Sequence, residues 1–221
     1  MTIEGIIFDF DGVIADSEAL ANLVLAETVT GLGLPTSLDD SLNRYMGKRA
    51  AEVAAAVELG IGRPLPYNFS DTLATATLER FRTELKEVKG AQQFILRFAA
   101  IPCCIASSSS MQRLSFCLGI LGLAHHFGGN VFSSELVARG KPHPDIFLYA
   151  AGQLNLAPAK CLVIEDSVSG VHTGVAAGMT VLGLCAGSHL RGNHAARMHE
   201  AGAAHVSDTW ADAEHWVSML T

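Results

Sequence analysis

Short apolar runs that alternate with longer helical patterns constrain the fold of this chain more than any other feature. Four of the runs have the length of a buried strand, namely Ile3 to Phe8, Pro102 to Ala106, Cys161 to Ile164 and Thr180 to Leu184. Strands separated by helices are typical of βαβ units, which build parallel sheets. The sequence therefore predicts an α/β fold with a doubly wound, mostly parallel, Rossmann-like sheet.

The stretch from about Asp16 to Glu87 has a different pattern, because it lacks a clear buried strand. It consists mostly of helical patterns such as RAAEVAAAVEL and DTLATATLERFRTELKE. Charge and glycine then interrupt the helical pattern between Lys86 and Gly90. We therefore predict two domains: an α/β core formed by residues 1–15 and 88–221, and a helical insertion formed by residues 16–87.

Composition and charge narrow the class of protein. Hydrophobic residues make up 49% of the 221 residues, and no apolar run approaches the roughly 18 residues that a membrane span needs. The N-terminal run MTIEGIIFDF lacks the positive charge of a secretory signal, and the five cysteines form no CxxC pair. The net charge of −7 disfavours nucleic acid, whose phosphates are bound by clustered Lys and Arg. We expect a cytoplasmic globular protein, a monomer or weak dimer, that acts on a small molecule and binds neither nucleic acid nor membrane.

Polar side chains follow three of the four predicted strands at the point where each strand ends. Asp9 and Asp11 follow the first strand, Ser107 follows the second, and Glu165 with Asp166 follows the third. Ligands of open parallel sheets bind at the carboxyl ends of the strands. We therefore expect these side chains to meet in one crevice.

Each of these residues also has an ordinary structural explanation. Asp9 and Asp11 could form a polar turn, and Glu165 with Asp166 could cap the next helix. Ser107 could be a helix N-cap, a position that can also bind phosphate. Lys141, just before a proline that suits the first turn of a helix, could be a solvated lysine. Carboxylates about 4 Å apart repel each other by about 4 kcal/mol at an effective dielectric near 20. A site that gathers them therefore needs a cation or a raised pKa.

The order of an acidic pair, a serine, a lysine and a second acidic pair resembles the haloacid dehalogenase-like hydrolase superfamily. The matching runs are DFDGV, IASS, GKPHPD and VIEDS. The resemblance covers essentially the whole chain, with residues 16–87 matching the helical cap that selects the substrate. It is closest to the branch that contains β-phosphoglucomutase and small sugar-phosphate phosphatases. The resemblance implies a phosphoric monoester hydrolase that works through an aspartyl-phosphate intermediate.

The resemblance also implies roles for individual residues. Asp9 would attack phosphorus, while Asp11 would protonate the leaving oxygen and then activate water. Mg²⁺ would be bound by Asp9, the backbone carbonyl of Asp11 and Asp166. Glu165 would be a direct or indirect partner of the ion. Such hard oxygen ligands suit Mg²⁺. The phosphoryl group would be held by Ser107, Ser108, Lys141 and Gly12. With Mg²⁺ and Lys141, the four carboxylates keep one net negative charge, which protonation of Asp11 would remove before a phosphate dianion binds.

The run RYMGKR resembles the cap loop that faces the active site in this branch. The predicted substrate contacts of this loop are Arg44, Gly47, Lys48 and Arg49. For its charged residues, a solvated surface position is the alternative. The metabolite itself does not follow from this pattern, and a sugar, sugar-alcohol or sugar-acid phosphate is expected.

Four alternatives remain to be weighed. Dehalogenases and phosphonate-cleaving members lack an aspartate two residues after the nucleophile, so Asp11 argues against both. A phosphorylated receiver-type signalling module is about half this length and carries its phosphoacceptor on a later strand. A mutase similar to β-phosphoglucomutase has a histidine four residues after the serine or threonine of an Asp-[Ser/Thr] pair. The pair here is Asp16 and Ser17, and the corresponding residue is Ala21, which favours a phosphatase.

Overall fold

The structure is a computed structural model, and it describes residues 2–46, 48 and 50–221. The chain forms two compact units, one made of Met1–Asp16 with Lys86–Thr221 and the other of Ser17–Leu85. The strands, all in the first unit, are β1 (Gly5–Phe8), β2 (Cys103–Ser107), β3 (Val131–Ser133), β4 (Cys161–Glu165), β5 (Thr180–Leu184) and β6 (His205–Ser207). They form one sheet of order β3-β2-β1-β4-β5-β6, in which every neighbouring pair is parallel. The predicted α/β fold with a Rossmann-like sheet is confirmed.

Helices connect the strands of the first unit and continue beyond β6. They are α5 (Ala91–Arg97), α6 (Met111–Leu121), α7 (Ala124–Phe127), α8 (Asp145–Gln153), α9 (Val168–Ala176), α10 (His194–Glu200) and α11 (Trp210–Ser218). Successive residues of β1 pack against different clusters. Ile7 belongs to a core cluster that includes Phe147, whereas Phe8 contacts the rings of Phe94 and Trp210. Burial on both faces explains why this strand has a continuous apolar sequence.

The second unit is helical and has its own core. Its helices are α1 (Glu18–Gly31), α2 (Leu38–Arg44), α3 (Ala50–Ile61) and α4 (Phe69–Glu84). The core contains buried apolar residues from α1, α3 and α4 and from the turn after α2: Leu25, Val29, Tyr45, Val57 and Phe69. A buried hydrogen bond from Ser41 Oγ to Asn22 Oδ1, at 3.0 Å, joins α1 and α2. The role of this unit in substrate selection stays a prediction.

The structure corrects several local expectations. The edge strands β3 and β6 were not predicted, because each has only three residues and is too short to show a periodic pattern. Pro142 lies outside a helix, since α8 begins at Asp145. Ser107 ends β2, and the N-cap of the following helix is Ser110, whose hydroxyl accepts from the amide of Arg113. Within the described residues, each helix is too short or too polar to cross a lipid bilayer.

Candidate active site

Three carboxylates meet where the two central strands end. Asp9 directly follows β1, while Glu165 is the last residue of β4 and Asp166 comes next. The neighbouring strands pair Phe8 with Ile164, so their parallel chains deliver these residues to the same edge of the sheet. All three side chains are buried, and one oxygen from each lies within 4.8 Å of the others. The predicted convergence of these acids is therefore found in the structure.

Lys141 lies between two of these carboxylates. Its Nζ is 2.7 Å from Asp9 Oδ1 and 2.5 Å from Glu165 Oε1, and its side chain is only 7% exposed. Burial lowers the pKa of Lys141, but the carboxylates of Asp9 and Glu165 raise it by more, so its pKa lies above the usual value. The lysine is therefore a buried ammonium and not a solvated surface residue.

Asp9 has a strongly perturbed ionisation. Burial raises the pKa of Asp9 well above its usual range; Lys141 opposes this shift, and the charges of Glu165 and Asp166 add to it. The three acids and one ammonium together carry excess negative charge in a buried position. Such an arrangement favours binding of a further cation.

The donor set fits Mg²⁺. This ion prefers carboxylate and carbonyl oxygens, and the cluster of Asp9, Glu165 and Asp166 offers several of them. A divalent cation would also compensate the excess negative charge. The excess charge and the oxygen donors therefore point to the same ligand.

Glu165 is anchored through both of its oxygens. Oε1 accepts from Lys141, and Oε2 accepts from the amide and the hydroxyl of Ser167 at 2.8 and 2.9 Å. Gly170, in the first turn of α9, leaves the space that this carboxylate fills, since a Cβ there would lie 1.7 Å from Oε1. Glu165 is thereby placed to orient the lysine.

Asp11 is held by residues of the segment that follows β2. Its Oδ1 lies 2.6 Å from an amino nitrogen of Arg113, and its Oδ2 accepts a hydrogen bond from the hydroxyl of Ser109 at 2.5 Å. The Asp11 and Arg113 side chains are 12% and 26% exposed. A short turn fixes the backbone beside Asp11, because Gly12 donates to the carbonyl of Ala15 at 2.7 Å.

Gly12 occupies a position that no other residue could take unchanged. Its φ of +79° favours glycine, and a Cβ would lie 1.8 Å from Oδ2 of Asp166 and 2.8 Å from Cε1 of His189. The turn after β1 and the segment after β4 are therefore in close contact.

The serine run has more than one environment. Ser107 is buried, and its Oγ accepts from the amide of Ser109 at 3.1 Å, whereas Ser108 is exposed. The N-terminus of α6 is capped by Ser110 and by Glu135, whose Oε2 accepts from the Met111 amide at 3.1 Å. The Met111 amide is thus satisfied within the protein.

Two histidines from the segment after β5 contact Asp166. Nε2 of the buried His189 lies 3.1 Å from Asp166 Oδ2, and Nε2 of His194 lies 2.5 Å from the Asp166 carbonyl oxygen. Burial lowers the pKa of His194 below its usual value, which favours the neutral ring. Because a carbonyl oxygen only accepts, the His194 ring is the tautomer with hydrogen on Nε2.

The predicted cap contacts belong to the second unit. Arg44, the last residue of α2, is exposed and lies 3.5 Å from Asp40. Lys48 is also exposed. Gly47 and Arg49 lie outside the described residues. Contact of these residues with a substrate stays a prediction.

Four residues around the carboxylates were not predicted from the sequence: Ser109, Arg113, His189 and His194. Both histidines lie beyond the end of the predicted strand Thr180–Leu184, so the rule that polar residues follow strand ends could have suggested them. Ser109 lies within the noted serine run. Arg113 carries no comparable signal, because its partner Asp11 is 102 residues away in the sequence.

Comparison with known proteins places these features in a family. The family model of haloacid dehalogenase-like hydrolases matches residues 3–178. Two relatives from Escherichia coli strain K12 are 6-phosphogluconate phosphatase, with 29% identity over 85% of each chain, and hexitol phosphatase A, with 31% identity over 82% of this chain and 83% of the relative. A conserved haloacid dehalogenase-like protein of unknown function from Agrobacterium tumefaciens has a similar structure, with a TM-score of 0.88, 35% identity and 99% of each chain covered. The chain belongs to the haloacid dehalogenase-like hydrolase family and is a phosphatase of that family.

Proposed function

We propose that this phosphatase is Mg²⁺-dependent and hydrolyses a small phosphorylated carbohydrate through an aspartyl phosphate on Asp9. The observation that carries the proposal is the cluster of Asp9, Glu165 and Asp166 around the buried ammonium of Lys141. Such a cluster brings a nucleophile, a phosphate-binding cation and metal-binding oxygens to one place.

Asp9, Asp166 and the backbone carbonyl of Asp11 would hold Mg²⁺, which would supply positive charge beside the transferring phosphoryl group. Both oxygens of Glu165 already accept hydrogen bonds, from Lys141 and Ser167. We therefore assign Glu165 an indirect role, in which it orients Lys141.

In the first step, a carboxylate oxygen of Asp9 attacks phosphorus as the bond to the leaving oxygen breaks. The electron pair of that bond goes to the leaving oxygen, which takes a proton from Asp11. Lys141, together with Ser107, Ser108 and the Gly12 backbone, holds the phosphoryl oxygens. Fixed positive charge and hydrogen-bond donors stabilise the transferring group.

In the second step, water attacks the phosphorus of the aspartyl phosphate. Asp11 takes a proton from the water, and the bond between phosphorus and Asp9 breaks to restore the carboxylate. The products are inorganic phosphate and the free hydroxyl compound. Asp11 thus ends the cycle protonated again, with a proton from the attacking water.

The substrate class is proposed as a sugar, sugar-alcohol or sugar-acid phosphate. Two of the relatives are named for 6-phosphogluconate and for hexitol, which supports this class. Selection within the class is assigned to the helical unit 17–85, because the core residues discussed above are engaged with phosphate, metal or one another. Arg44, Gly47, Lys48 and Arg49 are its candidate contacts. We propose that the protein acts without nucleic-acid or membrane partners, as a cytoplasmic monomer or weak dimer.

A mutase that transfers phosphate between sugar hydroxyls is the second candidate, because the same core chemistry can support it. The mutases that the chain resembles have a histidine where Ala21 stands in α1. An alanine side chain cannot form a hydrogen bond with the general acid or with a substrate hydroxyl. Ala21 therefore favours hydrolysis.

The proposal is tested by phosphate release from a panel of sugar, sugar-alcohol and sugar-acid phosphates. Activity should vanish in chelator and return with Mg²⁺, while Ca²⁺ should substitute poorly because its coordination is larger and more variable. Asp9→Asn should abolish turnover with little loss of folding, since the change is nearly isosteric. Full turnover in chelator would contradict the metal assignment, and an Asp9→Asn rate above about a tenth of wild type would contradict the nucleophile.

A further inference from the structure

The segment after β5 and the first residue of α10 approach Asp166 from two directions. His189, only 4% exposed, approaches the carboxylate, and His194 approaches the backbone carbonyl of the same residue. Two histidines, one from the loop after β5 and one from the start of α10, thus contact the same acidic residue. Neither histidine has a role in the chemical steps proposed above.

The ring of His189 is closely enclosed. A Cβ on Gly12 would lie 2.8 Å from its Cε1, and a Cβ on Gly187 would lie 2.7 Å from Cε1 and 2.8 Å from Nδ1. The buried ring therefore fills space that these two glycines leave open. In this position its Nε2 lies 3.1 Å from Oδ2 of Asp166.

The backbone of the segment is also anchored. The amide of Ser188 donates to Oδ1 of Asp16 at 2.9 Å, and Asp16 in turn donates from its amide to the carbonyl of Lys86 at 2.9 Å. Ser188, the neighbour of His189, is therefore hydrogen-bonded to Asp16 and through it to Lys86. These two residues end the first chain segment of the first unit and begin the second. A donor held in this way can fix the direction of a carboxylate.

We propose that His189 is a positioning residue that holds the carboxylate of Asp166 in the orientation that binds Mg²⁺, with His194 fixing the backbone of the same residue. The proposal rests on the Mg²⁺ site of the proposed function. Partners that hydrogen-bond a ligating group fix its orientation, and their loss typically weakens metal binding or activity about 10- to 100-fold. His189 acts on the metal only through Asp166.

The test is calorimetric titration of the whole protein with Mg²⁺, without substrate. His189→Leu removes the donor and keeps an apolar side chain in the enclosed space, whereas His189→Gln keeps an N–H donor. We expect the Mg²⁺ dissociation constant to rise about 10- to 100-fold in His189→Leu and to be largely restored in His189→Gln. His205→Leu is the matched control, because His205 is a partly buried histidine that stacks on Trp216 and takes no part in the site.

A second readout separates positioning from a general loss of folding. In His189→Leu, the Mg²⁺ concentration for half-maximal phosphate release should rise, while kcat at saturating Mg²⁺ should return to within a few-fold of wild type. A folded His189→Leu with wild-type Mg²⁺ affinity would overturn the proposal, as would a loss of kcat that saturating Mg²⁺ does not restore. If His189→Leu does not fold, His189→Asn, whose shorter side chain cannot reach Oδ2 in the same way, must show the weakened binding.

Asp166→Asn separates this inference from the proposed function. If wild type binds Mg²⁺ and Asp166→Asn binds it as tightly, the proposed metal site is wrong, and the role of His189 falls with it. If Asp166→Asn loses binding while the His189 variants keep it, only the role of His189 is wrong.

Discussion

The guanidinium of Arg113 lies 2.6 Å from Oδ1 of Asp11, although the two residues are 102 positions apart in the sequence. The contact connects the start of α6 to the turn after β1. The Arg113 guanidinium adds one positive charge to the site, beyond the charges of Lys141 and Mg²⁺ that were counted from the sequence. With Arg113 included, Lys141, Arg113 and a divalent cation would balance four ionised carboxylates, and the proton that Asp11 needs for the first step would then compensate part of the charge of the phosphate dianion. Arg113 also gives the proposed general acid a fixed partner.

Arg113→Met should slow the hydrolysis of an alkyl phosphate by about 10- to 100-fold, since misplacing a catalytic group by about 1 Å costs about that much. The loss should be smaller with p-nitrophenyl phosphate, whose leaving group needs no proton. Asp11→Asn should show the same dependence on the leaving group with a larger loss, of about 10² to 10⁴. The measurement is kcat/KM on both substrates.

The control for this pair is Arg97→Met, because Arg97 forms an exposed ion pair with Glu214 and lies outside the site. Its rates should match wild type on both substrates. An equal loss on both substrates in Arg113→Met would argue that Arg113 does not act through Asp11. An equal loss in Asp11→Asn would argue against Asp11 as the general acid.

Lys141→Met should destabilise the protein in chelator as well as abolish turnover. It leaves the buried carboxylates of Asp9 and Glu165 without their ammonium, and breaking a buried ion pair costs about 3–5 kcal/mol. The free energy of unfolding, measured with urea in chelator, tests this. Lys160→Met is the matched control, because Lys160 pairs with Glu4 at the surface, where such pairs contribute about 0–1 kcal/mol. Equal stability of the two variants would contradict the buried pair described here.

Gly12→Ala should abolish or nearly abolish activity, because the new methyl group would overlap Oδ2 of Asp166. Gly178→Ala is the control: its φ of +72° imposes a similar backbone strain, but a Cβ there meets no atom within 4 Å. Both variants should lose about 1 kcal/mol or more of stability from backbone strain, and only Gly12→Ala should also lose turnover and Mg²⁺ binding. Wild-type activity in Gly12→Ala would show that Asp166 can move without consequence.

Hydrolysis and phosphoryl transfer are separated by following both products from β-glucose 1-phosphate. We expect free phosphate to form without dependence on a bisphosphate activator, because Ala21 cannot contribute the hydrogen bond that a histidine makes in the mutases. Introducing the histidine with Ala21→His tests whether this position influences the outcome. If the wild-type protein forms glucose 6-phosphate faster than free phosphate, the choice of a phosphatase over a mutase is wrong.

Much of the site follows from local patterns. A strand buried on both faces needs a continuous apolar run, so Ile3 to Phe8 and Cys161 to Ile164 are visible in the sequence, and the acids that follow them are easily located. Parallel strands end at the same edge of their sheet, which is why Asp9 and Asp166 could be expected to converge. The short strands β3 and β6 cannot be predicted in this way, because three residues are too few to establish a pattern.

The amino-acid sequence by itself determined the α/β class, the helical insertion and the acids, serine and lysine of the candidate site, because each depends on local periodicity or on position after a strand. Only the tertiary structure decided which partner each carboxylate has. Arg113 meets Asp11, and His189 meets Asp166, through the order of strands in the sheet and the path of the loops beyond them. The physical reason is that a side-chain contact depends on distance and direction in space, and local periodicity contains neither for residues far apart in the chain.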